Sequence, residues 1–330
     1  MAQQVYDRLE FDAAAGRGGV RTIDLRVGTG PEGSWELVRA APAGAPGSGV
    51  AGYRGYRLAL HRPQRRLEVP SGLVTLLLEF GGSLRLGRVG RSLTGDPQAG
   101  WTRLDSLFAG LQTEPTVAEH DGRLCGIEVL LEPWLAYTVL GVGLHELHGV
   151  AVPVRDLLGW QGALLAERLA GTPRWSDRFA LVDAFLLERV ACGRPAAEQV
   201  VHAWRQVVRS GGDGCVGGLG AAVGWSERHL ELRFREQIGL SPKRAARLLR
   251  LRHSLRLLEA GCPPARIAVA CGFYDQAHYA REFKAMTGCT PAGLRQLRAM
   301  PERPVDRLPG RATSVLLRGR PANSARPESR

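Results

Sequence analysis

Arg228 and Arg235, and farther along the chain Arg281 and Lys284, are spaced so that each pair looks outward from one side of a helix. The chemistry such side chains offer is hydrogen bonding to base edges and neutralisation of phosphate. At about 100° per residue, Leu230, Phe234 and Ile238 share one face of the first helix; Arg228, Leu232 and Arg235 take the opposite one, flanked by His229 and Glu231. In the second helix Tyr279 and Phe283 lie inward, while Ala277, Arg281 and Lys284 lie outward, flanked by His278 and headed by Gln276. Each helix pairs a core face with a basic face suited to the major groove of double-stranded DNA. Lys243 and Arg244, early in the segment between them, are placed to meet phosphate.

The elements that must hold these residues form a repeat. Ser226-Glu-Arg-His-Leu230 through Gly239-Leu-Ser241-Pro242 lands on Asp275-Gln-Ala-His-Tyr279 through Gly288-Cys-Thr290-Pro291 after a shift of 49 positions. Both copies start on a residue able to cap a helix and stop at Gly followed by Ser/Thr-Pro, so helices are expected over 226–238 and 275–287. Upstream, Leu219-Gly-Ala-Ala-Val-Gly224-Trp matches Ile267-Ala-Val-Ala-Cys-Gly272-Phe at an offset of 48, so the second turn holds one extra residue. A short helix, a glycine turn and a longer capped helix make a helix-turn-helix unit, here present twice. Between the units, Pro242 to Ala260 reads as one helix capped by Ser241, about 28 Å long at 1.5 Å per residue. A rod of that length can hold two recognition helices in adjacent major-groove segments, with a footprint of about two turns.

Charge is unevenly placed. Residues 1–194 balance 21 basic against 21 acidic side chains, while 195–298 hold 16 against 8 and 299–330 hold 7 against 3. The nucleic-acid signature therefore belongs to the second region. The break at Cys192-Gly-Arg-Pro195 divides the 330 residues into domains 1–194 and 195–298, and the Pro- and Arg-rich stretch 299–330 is expected to be disordered. In the first domain, 53–60, 73–80, 83–89 and 124–131 read as strands, and 134–140, 154–170 and 175–191 as helices. The fold class is α+β: a small β-barrel or sandwich with a helical extension, then an all-α domain with two helix-turn-helix units. His145 and His148 form the one close His pair, but without the order of a zinc protease, and the six Cys form no Cys-x-x-Cys pair. Neither cofactor nor metal is expected, nor enzymatic activity. No signal core or 18-residue apolar stretch is visible, so a cytoplasmic location without a membrane partner is expected. The scarcity of Lys, 2 against 42 Arg, together with abundant Ala and Gly, points to a GC-rich bacterial genome.

Trp225-Ser-Glu-Arg-His-Leu-Glu-Leu-Arg-Phe-Arg-Glu, Gly239-Leu-Ser-Pro-Lys, Ala270-Cys-Gly-Phe-Tyr-Asp-Gln-Ala-His-Tyr, Arg281-Glu-Phe-Lys and Thr287-Gly-Cys-Thr-Pro follow one another in the order and spacing of a known pattern. Over 195–298 the chain resembles the AraC/XylS transcriptional regulators. That resemblance implies seven helices, base contacts from Arg228, Glu231 and Leu232 in the first unit and from Ala277, His278 and Arg281 in the second, and transcriptional activation with RNA polymerase as partner. It also implies a cupin-like N-terminal β-barrel that senses a small-molecule effector or pairs two chains. Two departures are visible: Leu294 stands where the family has an aromatic residue, and Leu232 and Ala277 offer only apolar contacts, for example to a thymine methyl. The alternative from another class, a DNA-repair or modifying enzyme targeted by the same module, requires a nucleophilic Cys or a metal cluster in the first half, which Cys125 and Cys192 do not supply.

Overall fold

The computed structural model describes residues 4–11, 21–42, 48–89, 100–213, 216–299 and 314–317. The first half is built from strands β1 (Gln4–Phe11), β2 (Arg21–Gly30), β3 (Gly33–Ala40), β4 (Val50–Leu60), β5 (Gln64–Glu68), β6 (Val74–Glu79), β7 (Leu84–Arg88), β8 (Thr102–Leu104), β9 (Leu107–Ala109), β10 (Thr116–His120), β11 (Arg123–Leu131) and β12 (Ala151–Pro153). A thirteenth, β13 (Ser314–Leu316), comes from the far end of the chain. They form two antiparallel sheets, β1-β2-β3-β4-β11-β6-β9-β12 and β13-β5-β10-β7-β8.

The expected barrel is therefore not closed: among the described residues no pairing joins the two sheets. Strands β8, β9 and β12 are only three residues long, and β12 ends in Pro153, which has no N–H to donate. The sheets instead face each other. Leu37, Tyr56, Leu60 and Leu77 of the larger sheet meet Leu84 and Leu104 of the smaller in one buried cluster. Strand β6 shows why its sequence is apolar almost throughout. Val74, Leu76 and Leu78 enter the main core while Leu77 faces the other sheet, so both of its faces are covered.

Helices α1 (Pro133–Leu140), α2 (Val154–Gly171) and α3 (Trp175–Cys192) follow where periodicity predicts them, except that α2 is broken at Gly159, whose φ of 56° and ψ of −142° no helix tolerates. Then come α4 (Glu198–Arg209), α5 (Leu219–Ala222), α6 (Glu227–Ile238), α7 (Pro242–Glu259), α8 (Pro264–Ala270), α9 (Gln276–Thr287) and α10 (Pro291–Ala299). The two halves share one continuous buried core, from Ile23 and Val38 through Phe179 and Trp204 to Phe283 and Leu294. Leu294, which stands where the AraC/XylS pattern has an aromatic residue, is fully buried.

The expectation of disorder across 299–330 needs a correction at 314–317. Ser314, Val315 and Leu316 pair with Glu68, Leu67 and Arg66 of β5, and Val315 and Leu317 are buried. Their alternation of apolar side chains suits a sheet edge that would otherwise stand open. Ala299 ends α10, and the rest of that stretch lies outside the described residues, as does Cys215.

Candidate nucleic-acid interface

The two units are built by the same local devices. Ser226 Oγ accepts the His229 N–H at 3.2 Å and Asp275 Oδ1 accepts the His278 N–H at 2.6 Å, so both recognition helices carry the caps expected of them. They end at Gly239 and Gly288 in the left-handed conformation, with the glycine N–H groups returning to Arg235 O and Lys284 O. The turn before α9 needs Gly272 twice over: its φ is +64°, and a Cβ there would sit 1.6 Å from Asp213 Oδ1. In the first unit the Glu227 carboxylate accepts the N–H groups of Gly218 and Gly220 at 2.9 and 3.1 Å, fixing the start of the four-residue α5 to the first turn of α6.

Beneath this framework the inward faces are dry. Leu230, Phe234 and Ile238 of α6 and Tyr279 and Phe283 of α9 are fully buried. Trp204 of α4 lies 6.4 Å from the Phe234 ring and donates its Nε1 proton to Glu132 Oε2 at 2.6 Å. Arg247 of α7 holds Glu282 of α9 through two bonds of 2.5 and 3.1 Å, tying the second recognition helix to the connecting helix. Cys271 and Cys289 are buried core residues; burial pushes the Cys271 thiol up to about 11 and raises that of Cys289 as well.

The outward faces carry the residues singled out from sequence. Arg228, His229, Glu231, Leu232 and Arg235 are exposed on α6; Gln276, Ala277, Arg281 and Lys284 are exposed on α9; Lys243 and Arg244 are exposed at the start of α7. His278 is half-buried, and both histidines do something the sequence did not reveal. The His229 ring packs edge-on against Trp225 at 4.5 Å, and the His278 ring edge-on against Phe273 at 5.6 Å while its Nδ1 accepts the Tyr274 N–H at 3.3 Å. Each imidazole thus clamps its turn to its recognition helix. The recurrence of His three residues after each cap was the available signal.

Arg244 is engaged too. Its Nη2 lies 3.0 Å from His148 Nε2, and His148 Nδ1 lies 2.8 Å from Leu111 O. The carbonyl can only accept, so the proton sits on Nδ1 and Nε2 accepts from Arg244. His148 thus serves as a bridge between the halves. Nearby, Tyr137 donates to Glu236 at 3.3 Å, and Leu144 O closes on Gly239 so tightly that a Cβ there would lie 3.0 Å from it. The first recognition helix is docked end-on against the 137–148 segment.

A second feature lies in the first half, where an effector-sensing domain is expected. A cavity of about 840 Å³ lies between the two sheets. Its walls include Leu37, Leu58, Leu77, Leu86 and Leu130, and one end is formed by Arg252, Leu255, Arg256 and Glu259 of α7. Leu73, Thr75 and Leu77, alternate residues of one segment, line it as well. Burial, followed by the nearby Arg256 charge, lowers the pKa of the Arg252 guanidinium, and its Nη1 has no hydrogen-bond partner among the described residues. On the inter-sheet face of the larger sheet, two residues beyond Leu77, the buried Glu79 accepts from Tyr56 Oη at 2.8 Å and from the Cys125 N–H at 2.7 Å. Desolvation nevertheless pushes its carboxyl up to about 7. No group of three or more His, Cys, Asp or Glu side chains suited to a metal occurs among the described residues.

Two capped recognition helices on one connecting helix, with basic outward faces, define a double helix-turn-helix DNA-binding domain. Residues 219–297 match the family model described as a helix-turn-helix domain. The HTH-type transcriptional regulator GlxA of Rhizobium meliloti (strain 1021) is 31% identical over 179 residues, which cover 50% of this chain and 53% of that regulator. The chain thus spans about half the length of this curated relative. Among solved structures, ToxT from Vibrio cholerae O395 aligns with a TM-score of 0.40 and 8% identity over 71% of this chain and 95% of ToxT. The C-terminal domain of AraT, a response regulator from Geobacillus stearothermophilus, aligns at 0.30 and 19% over 35% of this chain and 97% of that domain.

Proposed function

We propose that the chain is a sequence-specific DNA-binding transcriptional regulator that inserts α6 and α9 into successive major-groove segments. The observation that carries this is the pairing of a buried apolar face with an exposed basic face on both capped helices, within a region that matches a helix-turn-helix family. Arg228, Glu231 and Leu232 read one segment and Ala277 and Arg281 the next, with Gln276 and His278 at the head of α9. Arg235, Lys243 and Lys284 meet phosphate. Arg244 joins them once its contact with His148 opens. Activation, with RNA polymerase as partner, and a cytoplasmic location are proposed on the resemblance to AraC/XylS regulators. Footprinting tests the core of this reading. The full chain and residues 195–298 are expected to protect about two turns of the same duplexes, with steep salt dependence; specific protection by residues 1–194 alone would overturn it.

The first half is proposed to sense a small organic molecule. Leucine-rich walls and guanidinium groups at the α7 end fit an apolar body bearing an acidic group, and a ligand there would touch the helix that joins both recognition helices. Pairing of two chains is proposed through α2 and α3, which expose Trp160, Leu164 and Leu187 to solvent. A panel of organic acids should raise the melting temperature of the full chain and change its DNA affinity, and sedimentation should show a dimer. No thermal shift with any acid, together with a monomer at all concentrations, would remove both proposals and leave the DNA-binding reading standing.

A further inference from the structure

The two units differ by one inserted residue in the second turn, and the structure shows what it is. Trp225 is followed directly by the cap Ser226, whereas Phe273 is followed by Tyr274 and only then by the cap Asp275. Trp225 and Phe273 are half-buried and meet the clamping histidines in the same edge-on way, so they are equivalent, and Tyr274 is the addition. Its side chain is 93% exposed, the highest value among the exposed large hydrophobic residues of the described chain. A ring so placed contributes nothing to the core, where burial of such a side chain contributes about 1.5–3 kcal/mol. Its backbone, by contrast, is held firmly. The Tyr274 N–H donates to His278 Nδ1, and the next residue is extended and bound to the first turn of α9 through its carboxylate.

We propose that Tyr274 is a further DNA-contacting residue, whose phenol donates to a backbone phosphate beside the groove segment read by α9; the proposal rests on the DNA-binding reading above. Tyr274 precedes the cap and so lies off the N-terminal end of α9, outside the outward row of Ala277 and Arg281 that faces base edges. Tyr is among the side chains that bond phosphate oxygens. The His278 N–H that could otherwise receive phosphate is already taken by Asp275, so this end of the helix offers a neutral O–H. Only two side-chain torsions have to be frozen on docking, and the pinned backbone adds no further ordering cost. The first unit has no counterpart, so the second grips the duplex backbone at one more point.

The full-length protein provides the test. Duplexes enriched by the wild-type chain from a random-sequence library become the probes for titrations of wild type, Tyr274→Phe and Tyr274→Ala at several salt concentrations. Because the side chain is exposed, neither substitution threatens the fold. Loss of a hydrogen bond to a charged acceptor should weaken Tyr274→Phe about tenfold on every probe, and Tyr274→Ala at least as much. The phenol is neutral and displaces no counterion, so the salt slope should stay that of wild type. The enriched motif should also stay the same. A methylphosphonate scan should find one phosphate whose replacement weakens wild type but leaves Tyr274→Phe unchanged. Wild-type affinity in Tyr274→Phe, a changed motif, or the absence of such a phosphate would overturn the assignment while leaving the DNA-binding reading intact. Failure of the wild-type chain to enrich any duplex would overturn both.

Discussion

The sheet half and the helical half solve opposite problems. In the helical half the side chains between α4 and α10 close completely: Trp204, Phe234, Tyr279 and Phe283 are all fully buried, and the buried polar groups there are Gln237, Ser254 and Thr287. The sheet half keeps about 840 Å³ open between its layers and buries Arg66, Glu79, Glu119 and His120. Close packing holds α6 and α9 at a set separation, whereas the cavity between the sheets gives up packing energy. The contact between them is asymmetric, because α6 is docked on the 137–148 segment while α7 closes one end of the cavity.

The largest effect should come from emptying the dry core. Phe234→Ala and Phe283→Ala should each cost about 3–5 kcal/mol of stability in denaturant titrations, whereas Leu77→Ala, which borders a space already open, should cost about 2 kcal/mol or less. Equal losses would erase the packing contrast. Next is Glu79. Its folded pKa of about 7 lies above the ordinary carboxyl value of 4.5, so its contribution is fully present below about pH 4.5 and is lost as pH rises through about 7. That loss is on the order of 3 kcal/mol. Glu79→Gln should flatten the decline in melting temperature between about pH 5 and 8; an unchanged slope would mean that the carboxyl is not the titrating group.

Smaller effects probe the helical half alone. Arg281→Ala should cost about 1–3 kcal/mol at the preferred duplex and relax selection at one or two base pairs, while Lys243→Ala should weaken all duplexes alike and lower the salt slope by about one. A shift in base preference in Lys243→Ala would count against the docking geometry. Smallest are the caps. Ser226→Ala and Asp275→Ala should each lower stability by about 1 kcal/mol, and the similarity of the two losses measures how far the repeated units are energetic as well as structural copies.

The helical half was legible because its signals are local. Ser226, Ser241 and Asp275 as caps, Gly239 and Gly288 as stops and the spacing of Leu230, Phe234 and Ile238 all lie within a few residues of what they specify, and the observed helices match the expected ones to within a residue at most ends. Strands β4, β6, β7 and β11 were legible for the same reason, each long enough to show composition and period. Strands β8, β9, β12 and β13 are three residues long and carry no period, and in β2 and β3 charged and glycine residues mask the strand pattern.

By itself, then, the sequence determined the two helix-turn-helix units, the connecting helix and which side chains face outward, since caps, glycines and helical periodicity act over one or two turns. Tertiary structure alone decided that β11 lies between β4 and β6, that Ser314–Leu316 returns to the edge of β5, and that α7 closes one end of a cavity between the sheets. Most of these depend on contacts between residues tens to hundreds of positions apart. Such contacts are chosen by how whole faces fit together, and no short window of sequence contains that information.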